Sequence, residues 1–95
     1  YDAFARYLVK FVQAYEAEGI PIHAITPQNE PAYADPNYTT TFFKVEDLRE
    51  LTLRHIGPRF KEAGLDTEIW CWDHNFNQLE YPQAILSDPD GAKYV

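Results

Sequence analysis

Two short runs of the chain carry the residues with chemistry in them. Thr26-Pro27-Gln28-Asn29-Glu30-Pro31 sets an amide and a carboxyl side by side, and Trp72-Asp73-His74-Asn75 gathers an indole, a carboxyl, an imidazole and a second amide. A carboxyl group that loses hydration at an apolar rim keeps its proton closer to neutrality. Such an acid can protonate a leaving oxygen and later take a proton back from water. Glu30 is the candidate for that role, and Asn29 can hydrogen-bond a substrate hydroxyl. Standing alone, Asn-Glu-Pro is only three residues, and Glu30 could equally be an ordinary loop carboxylate. His74 could be a metal ligand, a donor to substrate or a partner that orients a carboxylate. With Asp73 and Glu30 it could complete a metal site, but no H-x-x-x-H or E-x-x-H spacing supports one, so no metal is expected.

The elements that must position these residues follow from periodicity. Phe4, Tyr7, Leu8, Phe11, Val12 and Tyr15 recur at helical spacing over residues 2–18, which predicts an amphipathic helix. Asp2 is its expected N-cap, and Gly19 followed by Pro21 its stop. Residues 20–26 are short and rich in β-branched side chains, the pattern of a parallel strand covered on both faces. Residues 27–43 read as a long loop punctuated by Pro27, Pro31 and Pro36. A second helix is predicted over 45–63, with Leu48, Leu51, Thr52, Ile56 and Phe60 as its stripe. Gly57-Pro58 is expected to kink or break it, and Gly64 to close it. Residues 67–73 read as a second buried strand. A polar loop and two short helical pieces follow, the last capped by Ser87 or Asp88 with Pro89 at its first position.

Helix, strand, helix, strand, helix is the order of an α/β fold with a parallel sheet. In such folds active sites collect at the C-terminal ends of the strands. Both polar runs fall there, whereas the opposite ends, Gly19-Ile20 and Leu65-Asp66, carry little chemistry. The arrangement suits hydrolysis of a glycoside, which with retention of configuration needs two carboxylates about 5–5.5 Å apart. Glu30 would be one, and another strand would have to supply the second.

Composition narrows the classes. The 95 residues carry 15 acidic and 8 basic side chains, for a net charge of −7. No basic stripe exists, which argues against nucleic acid. No apolar run approaches the roughly 20 residues of a membrane span. One cysteine, Cys71, rules out an internal disulfide. The chain has no Met and opens at Tyr1 directly in helical periodicity. With a barrel needing about 250 residues, it is expected to be an internal piece of a longer domain.

Among the remaining residues, His23, Trp70 and Cys71 are expected in the core, and His55 at the surface or in packing. Trp72, nearer the strand end, could stack on a sugar. Tyr33, Tyr38, Phe42 and Phe43 could wall a sugar site or simply tie the long loop down.

The segment Ile20-Pro21-Ile22 through Ala24-Ile25-Thr26-Pro27-Gln28-Asn29-Glu30-Pro31 resembles the strand and acid/base motif of the glucosylceramidase-like enzymes of glycoside hydrolase family 30. Residues 11–19 look like that family's third barrel helix. Ile56-Gly57-Pro58, Ala63-Gly64-Leu65, Asp73-His74-Asn75, Tyr81-Pro82, Leu86-Ser87-Asp88-Pro89 and Ala92-Lys93-Tyr94-Val95 match in order and spacing, so the likeness spans essentially the whole chain. It implies an α/β fold, a partial (β/α)8 TIM barrel running from about helix 3 to helix 5 with strands 4 and 5, as one segment (1–95) of a single catalytic domain. It implies that Glu30 is the general acid/base of a retaining β-glycosidase, that Asn29, Asp73, His74, Asn75 and Trp72 bind substrate, and that no cofactor is needed. The family's nucleophile, a Glu at the end of the seventh strand, would lie beyond Val95, leaving the segment inactive alone. The expected partner is a carbohydrate or glycoside substrate, with the rest of the barrel supplied by the parent chain, and family habit implies secretion. One departure is Lys44-Val45, where the family often has a Ser or Thr cap; Thr40 or Thr41 is expected to serve instead.

Two other readings stay open. One is another Asn-Glu-Pro barrel glycosidase, an endo-glucanase or xylanase. The other is a non-catalytic carbohydrate-binding or structural α/β module.

Overall fold

A computed structural model describes all residues, 1–95. Helix α1 (Asp2–Ala17) leads to strand β1 (Ala24–Ile25). After a long irregular loop, α2 (Val45–Glu50), a π-helical turn (Leu51–Ile56) and α3 (Gly57–Glu62) form one continuous rod. Strand β2 (Glu68–Ile69), α4 (Glu80–Leu86) and α5 (Gly91–Tyr94) complete the chain.

The two strands pair in parallel, with Ala24 opposite Glu68 and Ile25 opposite Ile69. Each is shorter than the seven-residue runs expected, because ladder bonds reach only from Glu68 N–H to His23 O (2.9 Å) to Trp70 N–H to Ile25 O (2.9 Å). The Thr67 hydroxyl donates to Ile22 O at 2.8 Å and extends the tie at the N-terminal end. Burial alternates along β2: Thr67, Ile69 and Cys71 are buried while Glu68 and Trp70 are exposed. The helices therefore cover one face of the sheet only. His23 and Trp70 lie on the other face, which the helices leave open. His23 is exposed, Trp70 is 55% exposed, and the indole N–H of Trp70 donates to Glu68 at 2.9 Å. Cys71 is buried as expected, and that burial pushes its thiol pKa up.

Both long helices stop in the same way. Gly19 (φ 79°) and Gly64 (φ 67°) take the left-handed conformation that a Cβ disfavours. Around them Ile20 N–H donates to Tyr15 O and Gly19 N–H to Glu16 O, and Leu65 N–H donates to Phe60 O and Gly64 N–H to Lys61 O. These are paired Schellman closures, as the sequence predicted.

The starts differ from expectation. Tyr1, not Asp2, is the N-cap of α1. The Asp2 carboxylate instead accepts two bonds from the Arg59 guanidinium, at 2.8 and 3.0 Å, pinning α1 to α3. Lys44, not Thr40 or Thr41, is the N-cap of α2, without a side-chain bond, and Thr40 Oγ1 instead accepts Asp35 N–H at 3.2 Å. The last helix is entered through a turn in which Gly91 N–H donates to Asp88 O. Pro89 occupies the second position of that turn, where its fixed φ fits, and the N-cap is Asp90.

Gly57-Pro58 does not break the second helix. Gly57 N–H donates to Thr52 O, five residues back. This π turn widens the rod just before Pro58, whose ring would crowd the Arg54 carbonyl in regular α geometry. Gly57 serves packing: a Cβ there would overlap the Tyr94 ring.

Two apolar clusters result. One joins Ala5 and Val12 of α1 to Leu51, Ile56, Phe60 and Ile69. The other joins Leu48 and Leu53 to Cys71, Tyr81 and Ile85 beneath the C-terminal strand ends, and Phe43 packs against both. The expected stripe of α1 is split, since Phe4, Tyr7 and Tyr15 remain exposed as an aromatic row along the helix. No helix is long and apolar enough to cross a membrane.

Candidate active site

The chain leaves β1 at Thr26 and turns at once. Pro27 and Pro31 are buried and bracket the turn, and Pro31 O accepts Phe43 N–H at 2.7 Å, closing the base of the long loop. Between the prolines, Glu30 has a φ of 43°. A non-glycine residue in this region is strained by about 1–3 kcal/mol and persists only where its surroundings over-determine it. Two bonds do so here. Glu30 N–H donates to Asp73 O at 2.8 Å, and Glu30 O accepts Tyr33 N–H at 3.0 Å.

Glu30 lines a cleft of about 190 Å³ with Gln28, Asn29, Tyr33, Tyr38, Thr39 and Thr40. Asn29 is exposed next to it, and the Gln28 amide N–H donates to Asn29 O at 3.0 Å. The loop that walls the cleft is stiffened from within. Tyr33 O–H donates to Asp35 at 2.6 Å, and Asp35 also accepts Asn37 N–H at 2.7 Å. Its hydrogen bond to Asp35 and the negative charge there push the Tyr33 phenol up to about 12, while the Tyr33 hydroxyl first, and Asn37 N–H next, hold the Asp35 carboxyl below its usual range. Of the four loop aromatics, Tyr33 and Tyr38 face the cleft, whereas Phe43 ties the loop down: it packs against both apolar clusters and its carbonyl accepts Tyr81 O–H at 2.9 Å.

From β2, Asp73 reaches the same place. Its Oδ2 accepts the Thr26 hydroxyl at 3.0 Å, and its carbonyl holds Glu30. His74 and Asn75 form a second set around Trp72. The Trp72 indole stacks with His74 (5.2 Å, 18°) and Tyr81 (4.8 Å, 26°), and its N–H donates to Asn75 O at 3.0 Å. His74 Nδ1 accepts Asn75 N–H at 2.7 Å, which leaves its proton on Nε2, a buried atom without a partner. The structure thus brings Glu30, Asn29 and Asp73 together and groups Trp72, His74 and Asn75 beside them. Thr26 was missed as a site residue. Its one legible signal was a hydroxyl at the last position of a predicted strand, and its partner lies 47 residues away. A groove of about 230 Å³ between α1 and α3 lies away from both strand ends and is bridged by Arg59 and its carboxylate partners.

Known proteins resemble this chain in both sequence and shape. An endo-1,6-beta-D-glucanase of Neurospora crassa is 44% identical over 88 residues, which are 93% of this chain and 18% of that protein. Mouse lysosomal acid glucosylceramidase is 30% identical over 99 residues, covering all of this chain and 19% of its own length. The solved structure of an endo-beta1,6-glucanase superposes with a TM-score of 0.90 at 39% identity, over 99% of this chain and 22% of that one. The chain thus spans about a fifth of the length of these relatives. The profile of the glycosyl hydrolase family 30 TIM-barrel domain matches residues 1–95. Parallel strands with polar C-terminal ends, backed by helices on one face, are what a section of such a barrel presents, and the chain belongs to glycosyl hydrolase family 30 as a segment of its TIM-barrel domain.

Proposed function

We propose that the parent enzyme hydrolyses β-glycosides with retention of configuration and that Glu30 is its general acid/base. The observation that carries this reading is the placement of Glu30: a residue with a strained, doubly hydrogen-bonded backbone just past the C-terminal end of a parallel strand, lining a cleft. In the first step a second carboxylate attacks the anomeric carbon. The bond to the leaving oxygen breaks, and that oxygen takes its electron pair and the Glu30 proton. In the second step water attacks the glycosyl-enzyme and gives its proton to Glu30, and the second carboxylate departs. That carboxylate comes from another strand of the parent, about 5–5.5 Å from Glu30. On this reading β1 and β2 are the fourth and fifth strands of one catalytic barrel and α1 its third helix. Asn29 holds the 2-hydroxyl, and Asp73, His74, Asn75 and Trp72 form the substrate-side rim.

The substrate we favour is a β-1,6-linked glucan, because the endo-1,6-glucanases stand at 44% and 39% identity. A glucosylceramide is the second reading, supported by the mouse glucosylceramidase at 30%. Turnover of β-1,6-glucan oligosaccharides against glucosylceramide by the complete enzyme separates the two. Secretion of the parent belongs to the same proposal, and fractionation of cells expressing the full reading frame tests it.

Glu30 itself is tested by Glu30→Ala in the complete catalytic domain. On glycosides with poor leaving groups, kcat/KM should fall by roughly 10²–10⁴-fold, the worth of general acid/base help. Azide should restore turnover on activated aryl glycosides. Near-wild-type rates on poor leaving groups would reduce Glu30 to an ordinary loop carboxylate.

A further inference from the structure

We infer that Thr26 and Asp73 form a clamp that positions Glu30 for proton transfer, which makes both of them positioning residues in the acid/base step. The inference rests on the reading of Glu30 above.

Three hydrogen bonds run in series across the two strand ends. The Thr26 hydroxyl donates to Asp73 Oδ2 at 3.0 Å. The Asp73 carbonyl accepts Glu30 N–H at 2.8 Å, and Glu30 O accepts Tyr33 N–H at 3.0 Å. A side chain at the end of β1 therefore fixes a residue at the end of β2, and that residue's main chain fixes the strained residue four positions beyond Thr26. With φ at 43°, Glu30 sits where an L-residue does not stay unaided. Once the Asp73 carbonyl drifts, the Glu30 peptide relaxes toward negative φ and the carboxyl swings away from the cleft it shares with Gln28, Asn29 and Tyr33. A displacement of about 1 Å can cost on the order of a hundredfold in rate.

Two neighbouring polar groups are committed elsewhere. His74 Nδ1 is taken by Asn75 N–H, its ring lies on Trp72, and the Gln28 amide bonds Asn29 O. The Thr26–Asp73 pair is partly exposed and belongs to neither apolar cluster. Its loss should therefore act on the site more than on the fold.

The test uses the complete catalytic domain and reads kcat/KM, which reports the first chemical step, on an activated 2,4-dinitrophenyl β-glucoside and an unactivated β-1,6-linked glucose disaccharide. Thr26→Val keeps the shape and removes the hydroxyl. It should slow the disaccharide by about ten- to a hundredfold and change the dinitrophenyl substrate by no more than about threefold, since the latter needs little acid help. Thr26→Ser should bring the disaccharide rate back to within about threefold of wild type. If Thr26→Val melts below the assay temperature, Thr26→Ala removes the same hydroxyl without setting a methyl against the carboxylate, and is read in the same way. Equal losses on both substrates, or no loss on either, while Glu30→Ala still discriminates between them, would overturn the clamp and leave the role of Glu30 standing. A Glu30→Ala enzyme that does not discriminate would bring down the role of Glu30 and the clamp with it.

Discussion

Gly19, Gly64 and Glu30 share a left-handed backbone, with φ of 79°, 67° and 43°, and they hold it for different reasons. The glycines sit where the chain enters each strand. Open space surrounds the position of a missing Cβ at both, and the bonds that fix them come from within the same helix, three to five residues back. Glu30 sits where the chain leaves β1. It carries a full side chain, and beside a local bond from Tyr33 N–H it is fixed by one to Asp73 O, in the loop beyond β2. The entry turns are thus built from local chemistry for stability, and the exit turn is built from a long-range contact around a carboxyl group. Stability and chemistry occupy opposite ends of the same strands, as the barrel architecture requires.

The sharpest way to break this comparison is to put a glycine where the glutamate is. Glu30→Gly in the complete domain should lose roughly 10²–10⁴-fold in activity on unactivated glycosides. It should also be more stable than Glu30→Ala by about 1–2 kcal/mol, because only glycine relaxes the left-handed strain. Activity assays paired with urea melts check both halves. Equal stability of the two variants would mean that the exit turn is not strained.

Next in size is the core under the entry side. Ile56 is fully buried between α1 and β2. Ile56→Ala should cost about 2–5 kcal/mol by lost burial and cavity formation, while the leaving-group dependence of catalysis stays as in wild type. A selective loss on poor leaving groups would show that the two ends are not separable.

Gly64→Ala comes third. With nothing to clash against, its whole cost is the left-handed backbone, about 1–2 kcal/mol, with kcat unchanged. A neutral result in denaturant melts would remove the case for locally built entry turns.

The smallest effect is on pH. The backbone N–H of Asp90, and then the Arg54 guanidinium, hold the Asp88 carboxyl below its usual value of 3.8. A carboxylate whose folded-state pKa is lowered adds stability above its unfolded value and loses it as pH falls through the folded one. Asp88→Asn should therefore lower stability slightly near neutrality, and the difference from wild type should shrink as pH falls below 3.8, so the acid limb of the stability curve flattens. An unchanged acid limb would show that the turn before α5 adds nothing to acid resistance.

Much of this organisation was legible in residue order. The stripe Leu48, Leu51, Thr52, Ile56 and Phe60 is buried as its spacing requires, and Gly19 and Gly64 end their helices. Local patterns of this kind are set by neighbours three to five residues apart. The misreadings share an opposite cause. Asp2 is a good cap by type, but Arg59, 57 residues away, claims its carboxylate. Gly57-Pro58 breaks helices by type, but a π turn absorbs Pro58 and the Tyr94 ring fills the space that Gly57 leaves.

The candidate site divides along the same line. By itself the sequence determined where the candidate site lies, because alternation of helix and strand places Asn29-Glu30 and Asp73-His74-Asn75 at strand ends, and in parallel sheets strand direction marks the end where sites collect. Only the tertiary structure decided how Glu30 is held. A left-handed glutamate, an Asp73 carbonyl and a Thr26 hydroxyl become one unit only when two strands pair in parallel and in register. No local pattern encodes that register, since it depends on which helix faces pack together and on bonds between residues more than forty positions apart.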